Sequence, residues 1–222
     1  MSEASHHRPI WDKGGAIDAE MLRFTIGDDW LQDRRLVEVD IQGSLAHVAG
    51  LGRAGLLEDE DVRAIRAGLS ELLQSFREGA WTLEPADEDV HSAVERRLIG
   101  LVGEPAKRMH LGRSRNDQVA VDVRLWLRGA VLSTRQGLER LIAACTALSE
   151  RRGGVPLPGY THLRRAMPSS VRDWAQGYRG AFEADRDDLR SCEARIARSP
   201  LGTGAGFTPR AAFHASRIGP WS

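Results

Sequence analysis

A chain of 222 residues, 41% hydrophobic and 28% charged, has the material for a sizeable apolar core, which excludes a disordered or fibrous protein. Lysine plus arginine and aspartate plus glutamate balance at 31 each, so no net field draws the chain to nucleic acid or to an anionic membrane. Recognition of an anion would have to be local.

The opening residues, MSEASHHRPIW, lack the apolar centre of a signal peptide, and no later run approaches the ~20 apolar residues of a membrane span. A cytoplasmic protein is expected, with His6 and His7 in a loose terminus. Helical periodicity then begins near Asp33 and runs to Leu51, with Leu36, Val39, Gly43, Ala46 and Leu51 near one face. A neighbouring helix should pack closely on Gly43 and Ala46. A second helix is expected from Glu58 to Arg77, its stripe made of Val62, Ile65, Leu69, Leu72, Leu73 and Phe76, with Gly79 ending it. The acidic run Glu58 to Asp61 suits the positive end of its dipole. The segment Glu88 to Val102 repeats the pattern through Val90, Val94, Leu98 and Leu101, and Gly103 closes it.

The longest periodic stretch runs from Asp117 to about Arg151 through Val119, Val123, Trp126, Ala130, Leu138, Leu141, Ile142, Cys145 and Leu148. A helix of that length suggests a bundle. GGVPLPG at 153 to 159 must stop it, leaving a loop that presents Tyr160, Thr161 and His162. Pro168 suits the first turn of a last helix reaching about Arg198. No alternating strand is evident, so the fold class expected is all-α. Cys145 and Cys192, both inside helical pattern, read as reduced structural thiols.

Three polar clusters interrupt this pattern. GRSRNDQ, Gly112 to Gln118, stands where the longest helix begins. Ser114, Asn116 and Asp117 are good capping residues, so a solvated turn would account for them. A helix start also offers free N–H groups and partial positive charge, to which Arg113, Ser114, Arg115 and Asn116 would add donors for a carboxylate or phosphate. PGYTHLRRAMPSS, 158 to 170, joins the Thr161 hydroxyl to the His162 imidazole, a side chain suited to proton transfer near neutrality. DEDVHSAVERR, Asp87 to Arg97, puts His91 and Glu95 four apart, a charged exposed face or part of a site. No metal-ligand array and no glycine-rich nucleotide loop is visible, so neither metal nor cofactor is expected.

Together these clusters, with WDKGG at 11 to 15 and FTIGDDWLQDRRLVEVDIQGSLAH at 24 to 47, resemble the argininosuccinate lyase family of the fumarase and aspartase superfamily. GRSRNDQ is specific to that family, whereas the THxxxAxP pattern is shared more widely and would also suit adenylosuccinate lyase. The resemblance implies a helical N-terminal domain, 1–111, leading at 112–222 into the incomplete start of a central long-helix bundle that assembles a homotetramer. It implies cleavage of argininosuccinate to arginine and fumarate, with Ser114, Arg115, Asn116 and Thr161 holding substrate groups. His162 would serve in acid/base chemistry, with His91 nearby, binding substrate or standing just behind the residues that do. Asp29 falls where many members place a serine that touches substrate. Family chains continue past residue 222 and carry a mobile GSSxMPQKKNP loop with a further catalytic serine, so these residues alone are expected to lack a complete site. The competing expectation is a helical module that binds carboxylates without turnover.

Overall fold

The computed structural model describes residues 19–200, so WDKGG, the two N-terminal histidines and the glycine-rich C-terminal stretch lie outside the described residues. The chain divides into two compact units, one reaching to Trp126 and the other covering Leu127–Arg198. Helix dominates both, as expected of the all-α class, and one two-stranded sheet is added to it.

In the first unit, the short helices α1 (Ala19–Ile26) and α2 (Asp29–Asp33) precede α3 (Val37–Arg53), α4 (Asp59–Arg77) and α5 (Val90–Val102). The long helix α6 (Arg115–Arg152) starts in this unit. Helix α4 follows its sequence closely. Glu58 is extended at the N-cap, three acidic residues occupy the first turn, and Ile65, Leu69 and Leu72 are buried. At its end Gly79 takes φ +75°, Ala80 N–H donates to Ser75 O and Gly79 N–H to Phe76 O. This is a Schellman stop, which needs a left-handed residue and therefore favours glycine. Asp89 caps α5 by accepting from Ser92 N–H at 2.7 Å.

Two glycines let helices meet closely. A Cβ on Gly43 would lie 3.2 Å from Val121 of α6, as expected of that position. On Gly68 it would lie 2.8 Å from both Leu98 and Val102 of α5. Gly68→Ala is therefore expected to destabilise the chain by ~1 kcal/mol, overpacking outweighing the better helix propensity of alanine. Gly100→Ala, in α5 with nothing within 4 Å of the added carbon, should instead raise stability by a few tenths to ~1 kcal/mol. Urea midpoints shifting in opposite directions would bear this out; two shifts of the same sign would not.

The buried face of α3 differs from the expected stripe. Val37, Asp40, Ile41, Ser44, His47, Val48 and Leu51 point inward, whereas Val39 and Ala46 are only partly buried. The phase shift places polar side chains in the core. The start of α6 departs likewise: Asp117, Gln118, Val121 and Asp122 are buried, while Val119 and Val123 are exposed. Leu101 of α5 is exposed as well.

In the second unit, β1 (Pro156–Thr161) and β2 (Arg164–Ser170) form an antiparallel hairpin followed by α7 (Val171–Ile196). This corrects the expected loop and the expected helix start at Pro168, which lies inside β2 opposite Pro158. Each strand of a two-stranded ribbon is an edge, where a missing N–H does least harm. Ser170 caps α7, accepting from Asp173 N–H at 3.1 Å. Leu132, Leu141, Trp174 and Tyr178 are about half exposed, and Cys145 and Cys192 are free and half-buried rather than fully in a core.

Candidate functional site

The start of α6 is capped by two side chains of its own first turn. Asn116 N–H donates to Ser114 Oγ at 3.3 Å, and Ser114 N–H donates to Asp117 Oδ2 at 2.9 Å. Ser114 and Asp117 thus do the local work that a capping reading assigns them. Arg115 and Asn116 are exposed, and Arg115 lies 3.4 Å from Asp89 at the start of α5. Both side chains stand beside the polarised N–H groups of the helix end, the arrangement that receives anions.

Behind this surface lies a polar network that sequence reasoning missed. Asp40 Oδ1 accepts from Gln118 Nε2 at 2.5 Å and meets His91 Nδ1 at 2.9 Å. His91 is therefore buried, which rules out the exposed charged face, one of the two readings open to its cluster. Its Nδ1 also lies 3.5 Å from Asp122 Oδ2. Arg113 turns inward, donating to Ser44 Oγ at 3.2 Å and meeting His110 Nδ1 at 2.8 Å. His110 in turn lies 3.4 Å from Glu95. Asp40 of α3 thus joins the His91 cluster of α5 to the GRSRNDQ segment that opens α6.

The charges divide within the network. Burial raises the Asp40 carboxyl, but His91, Gln118 and Arg113 outweigh it and hold the group below its ordinary range. Asp122 is pushed up to about 10 by burial and by the Asp40 charge. Neither Asp122 oxygen accepts a hydrogen bond, His91 Nδ1 being aimed at Asp40 instead, so its ionised form is poorly supported. Protonated, it becomes a donor to Asp40. His47, fully buried beside Arg113 and His110, is driven down to about 3 and meets the Leu111 carbonyl at 3.1 Å. Asp40, His91 and Asp122 each turn one potential ligand atom to within 4.8 Å of the others, which is compact enough for a metal ion. The donors already aimed at Asp40, and the Arg113 cation, make a proton the partner that best fits this pair.

The remaining expected residues are spread over both units. Asp29 is exposed in α2. Thr161 ends β1, and His162 and Leu163 form the hairpin tip with φ of 47° and 61°. Two successive positive φ values match the right-handed twist of a hairpin, and histidine tolerates that region better than most residues. Thr161 and His162 are exposed. They belong to the second unit, whereas Asp29, His91, Ser114, Arg115 and Asn116 belong to the first.

Residues 15–216 match the family model described as Lyase. The chain is 42% identical over 198 residues to an argininosuccinate lyase of Sorangium cellulosum, covering 89% of this chain and 46% of that protein. It is 38% identical over 198 residues to an argininosuccinate lyase of Thermotoga neapolitana, covering 89% and 50%. The chain therefore spans about half the length of the curated relatives it matches. Among solved structures, an EDDS lyase variant with bound fumarate shares the fold with a TM-score of 0.74 at 24% identity, over 92% of this chain and 40% of that one. A fumarate lyase:delta crystallin of Brucella melitensis does so with a TM-score of 0.68 at 18% identity, over 91% and 50%. Among the described residues no helix is long and apolar enough to cross a membrane. A family match over nearly all of its length makes this chain a member of the lyase family of the fumarase/aspartase superfamily.

Proposed function

We propose that the chain is the N-terminal part of an argininosuccinate lyase, the enzyme that cleaves argininosuccinate to arginine and fumarate in a cytoplasmic homotetramer. Residues 1–111 would form its N-terminal domain and 112–222 the start of the central bundle. The observation that carries this reading is the start of α6, where Arg115 and Asn116 stand exposed at a positively polarised helix end above a buried network that leaves them to face solvent. A succinyl group offers two carboxylates, which a guanidinium and backbone N–H groups bind by charge-assisted bonds.

In the reaction a base removes the carbon-bound proton beside one carboxylate. The electron pair forms the new double bond, the carbon–nitrogen bond breaks, and the departing guanidine nitrogen takes a proton to give arginine. Negative charge builds on the carboxylate during proton removal, so donors fixed in advance lower the barrier. Ser114, Arg115, Asn116 and Thr161 are proposed to hold the substrate, and His162, at an exposed strained turn, to take part in proton transfer. His91 acts from behind through Asp40. Asp29 is proposed only to border the substrate.

Titration calorimetry with argininosuccinate tests the binding half. Arg115→Ala and Asn116→Ala are each expected to weaken binding about tenfold, the loss of one hydrogen bond to a charged group. Unchanged affinity in both would remove the site, and tighter binding of adenylosuccinate would reassign the substrate. In the enzyme completed by its C-terminal part, with fumarate absorbance as the readout of turnover, His162→Asn is expected to cost about a hundredfold.

A further inference from the structure

A carboxylate in the middle of an apolar helix face needs a reason, because taking that charge out of water costs several kcal/mol that a leucine would not. Asp40 is fully buried in the first turn of α3, on the same face as Val37, Ile41 and Ser44. Its oxygen accepts from Gln118, the last residue of GRSRNDQ. The second residue of the same segment, Arg113, is drawn by the Asp40 charge and donates to Ser44, one turn further along α3. The two ends of the segment are thus tied to one face of one helix, Asp40 and Ser44 lying four residues apart. Gln118 turned inward fixes the rotation of α6 about its own axis, and Asn116, two residues earlier, then falls on the opposite side. Asp122, four residues beyond Gln118, is buried on the same side and strengthens that orientation.

We propose that Asp40 is a positioning residue for the anion-binding helix start: by holding Gln118, while Ser44 on the same face holds Arg113, it sets the rotation of the α6 N-terminus and so aims Arg115 and Asn116 at the substrate carboxylate. This rests on the carboxylate-binding role given to those two residues above. Asp40 itself touches no substrate.

The test uses the full 222-residue chain with Asp40→Ala and Asp40→Asn, measuring argininosuccinate affinity and amide hydrogen exchange along the chain. Asp40→Ala removes the acceptor and is expected to weaken affinity at least tenfold and to speed exchange at residues 114–119 at least tenfold, with α4 exchanging as in the parent. Asp40→Asn keeps an oxygen for Gln118 and is expected to restore affinity to within about threefold. If Asp40→Ala does not fold, Gln118→Met cuts the same bond from the other side and should produce the same local loosening and the same loss of affinity. Exchange that rises equally in α3, α4 and α5, with affinity falling only as the folded fraction falls, would overturn the proposal by making Asp40 a mere core residue. So would parent-like exchange at 114–119. A parent chain that does not bind argininosuccinate would end the substrate reading, and the exchange arm would still show whether Asp40 holds the segment.

Discussion

Replacing His47 by glutamine is expected to make the chain more resistant to acid relative to its parent, by ~3 kcal/mol between pH 7 and pH 4. The imidazole is buried, with the Arg113 guanidinium and His110 beside it, so in the folded chain it stays neutral down to about pH 3. Unfolded, it takes a proton near its ordinary value of 6.5. Between those limits the unfolded chain holds one proton more than the folded one. The stability that neutral His47 contributes is complete above pH 6.5 and drains away as the pH falls towards 3. Glutamine has no proton to gain and reaches far enough to donate to the Leu111 carbonyl, so His47→Gln keeps the bond and loses the acid liability. Urea midpoints of parent and variant at pH 7 and pH 4 give the difference directly. A gap that stays constant across that range would mean that His47 is freely protonated in the fold.

That this histidine lies in the core could not be read from EVDIQGSLAH, and the reason is specific. A hydrophobic stripe is drawn through apolar residues and glycine, here Leu36, Val39, Gly43, Ala46 and Leu51; Gly43 and Leu51 are buried, but Val39 and Ala46 stand off the buried face. Asp40, Ser44 and His47 sit on the true face, and their types argue for solvent unless a partner is known. The partners come from α5 and α6, at sequence distances of 51 and 78 residues for His91 and Gln118. Where burial is apolar throughout, as along Ile65, Leu69 and Leu72 of α4, pattern and structure agree. Gly79 and Gly103 end their helices as read, because the left-handed backbone they supply is a local requirement. The hairpin was hidden for the opposite reason. Pro156, Pro158 and Pro168 argue against strands, and only the pairing of two edges makes them tolerable. Among the candidate site residues, the exposed donors of GRSRNDQ are legible by type and spacing. The carboxylate that holds them was not, since a lone aspartate within an apolar pattern gives no sign of what it will meet.

Asp122→Asn is expected to show the reverse pH dependence, gaining on the order of 4 kcal/mol over the parent between pH 5 and pH 8. Asp122 faces Asp40 from α3, His91 from α5, the Arg113 guanidinium and, further off, Asp33. Burial and the Asp40 charge keep it protonated in the fold up to about pH 10, whereas the unfolded chain loses that proton near 3.8. Its folded value is raised, so the stability it contributes is complete below pH 3.8 and is lost as the pH rises through about 10. An asparagine amide can donate to Asp40 as the protonated carboxyl does, and it never ionises. The two variants then explain each other. Between pH 3.8 and 6.5 the unfolded parent holds its extra proton on His47 and the folded parent holds one on Asp122, so the two slopes cancel and neither is visible in the parent. Removing His47 uncovers a stability that falls with rising pH; removing Asp122 uncovers one that climbs to about pH 6.5 and then levels. Above pH 6.5 only Asp122 still titrates against folding, so the parent should weaken there while Asp122→Asn holds steady. Parent and Asp122→Asn curves that run parallel from pH 5 to pH 9 would mean that Asp122 is ionised in the fold, and the buried pair would then have to be held by Arg113 and His91 instead of by a shared proton.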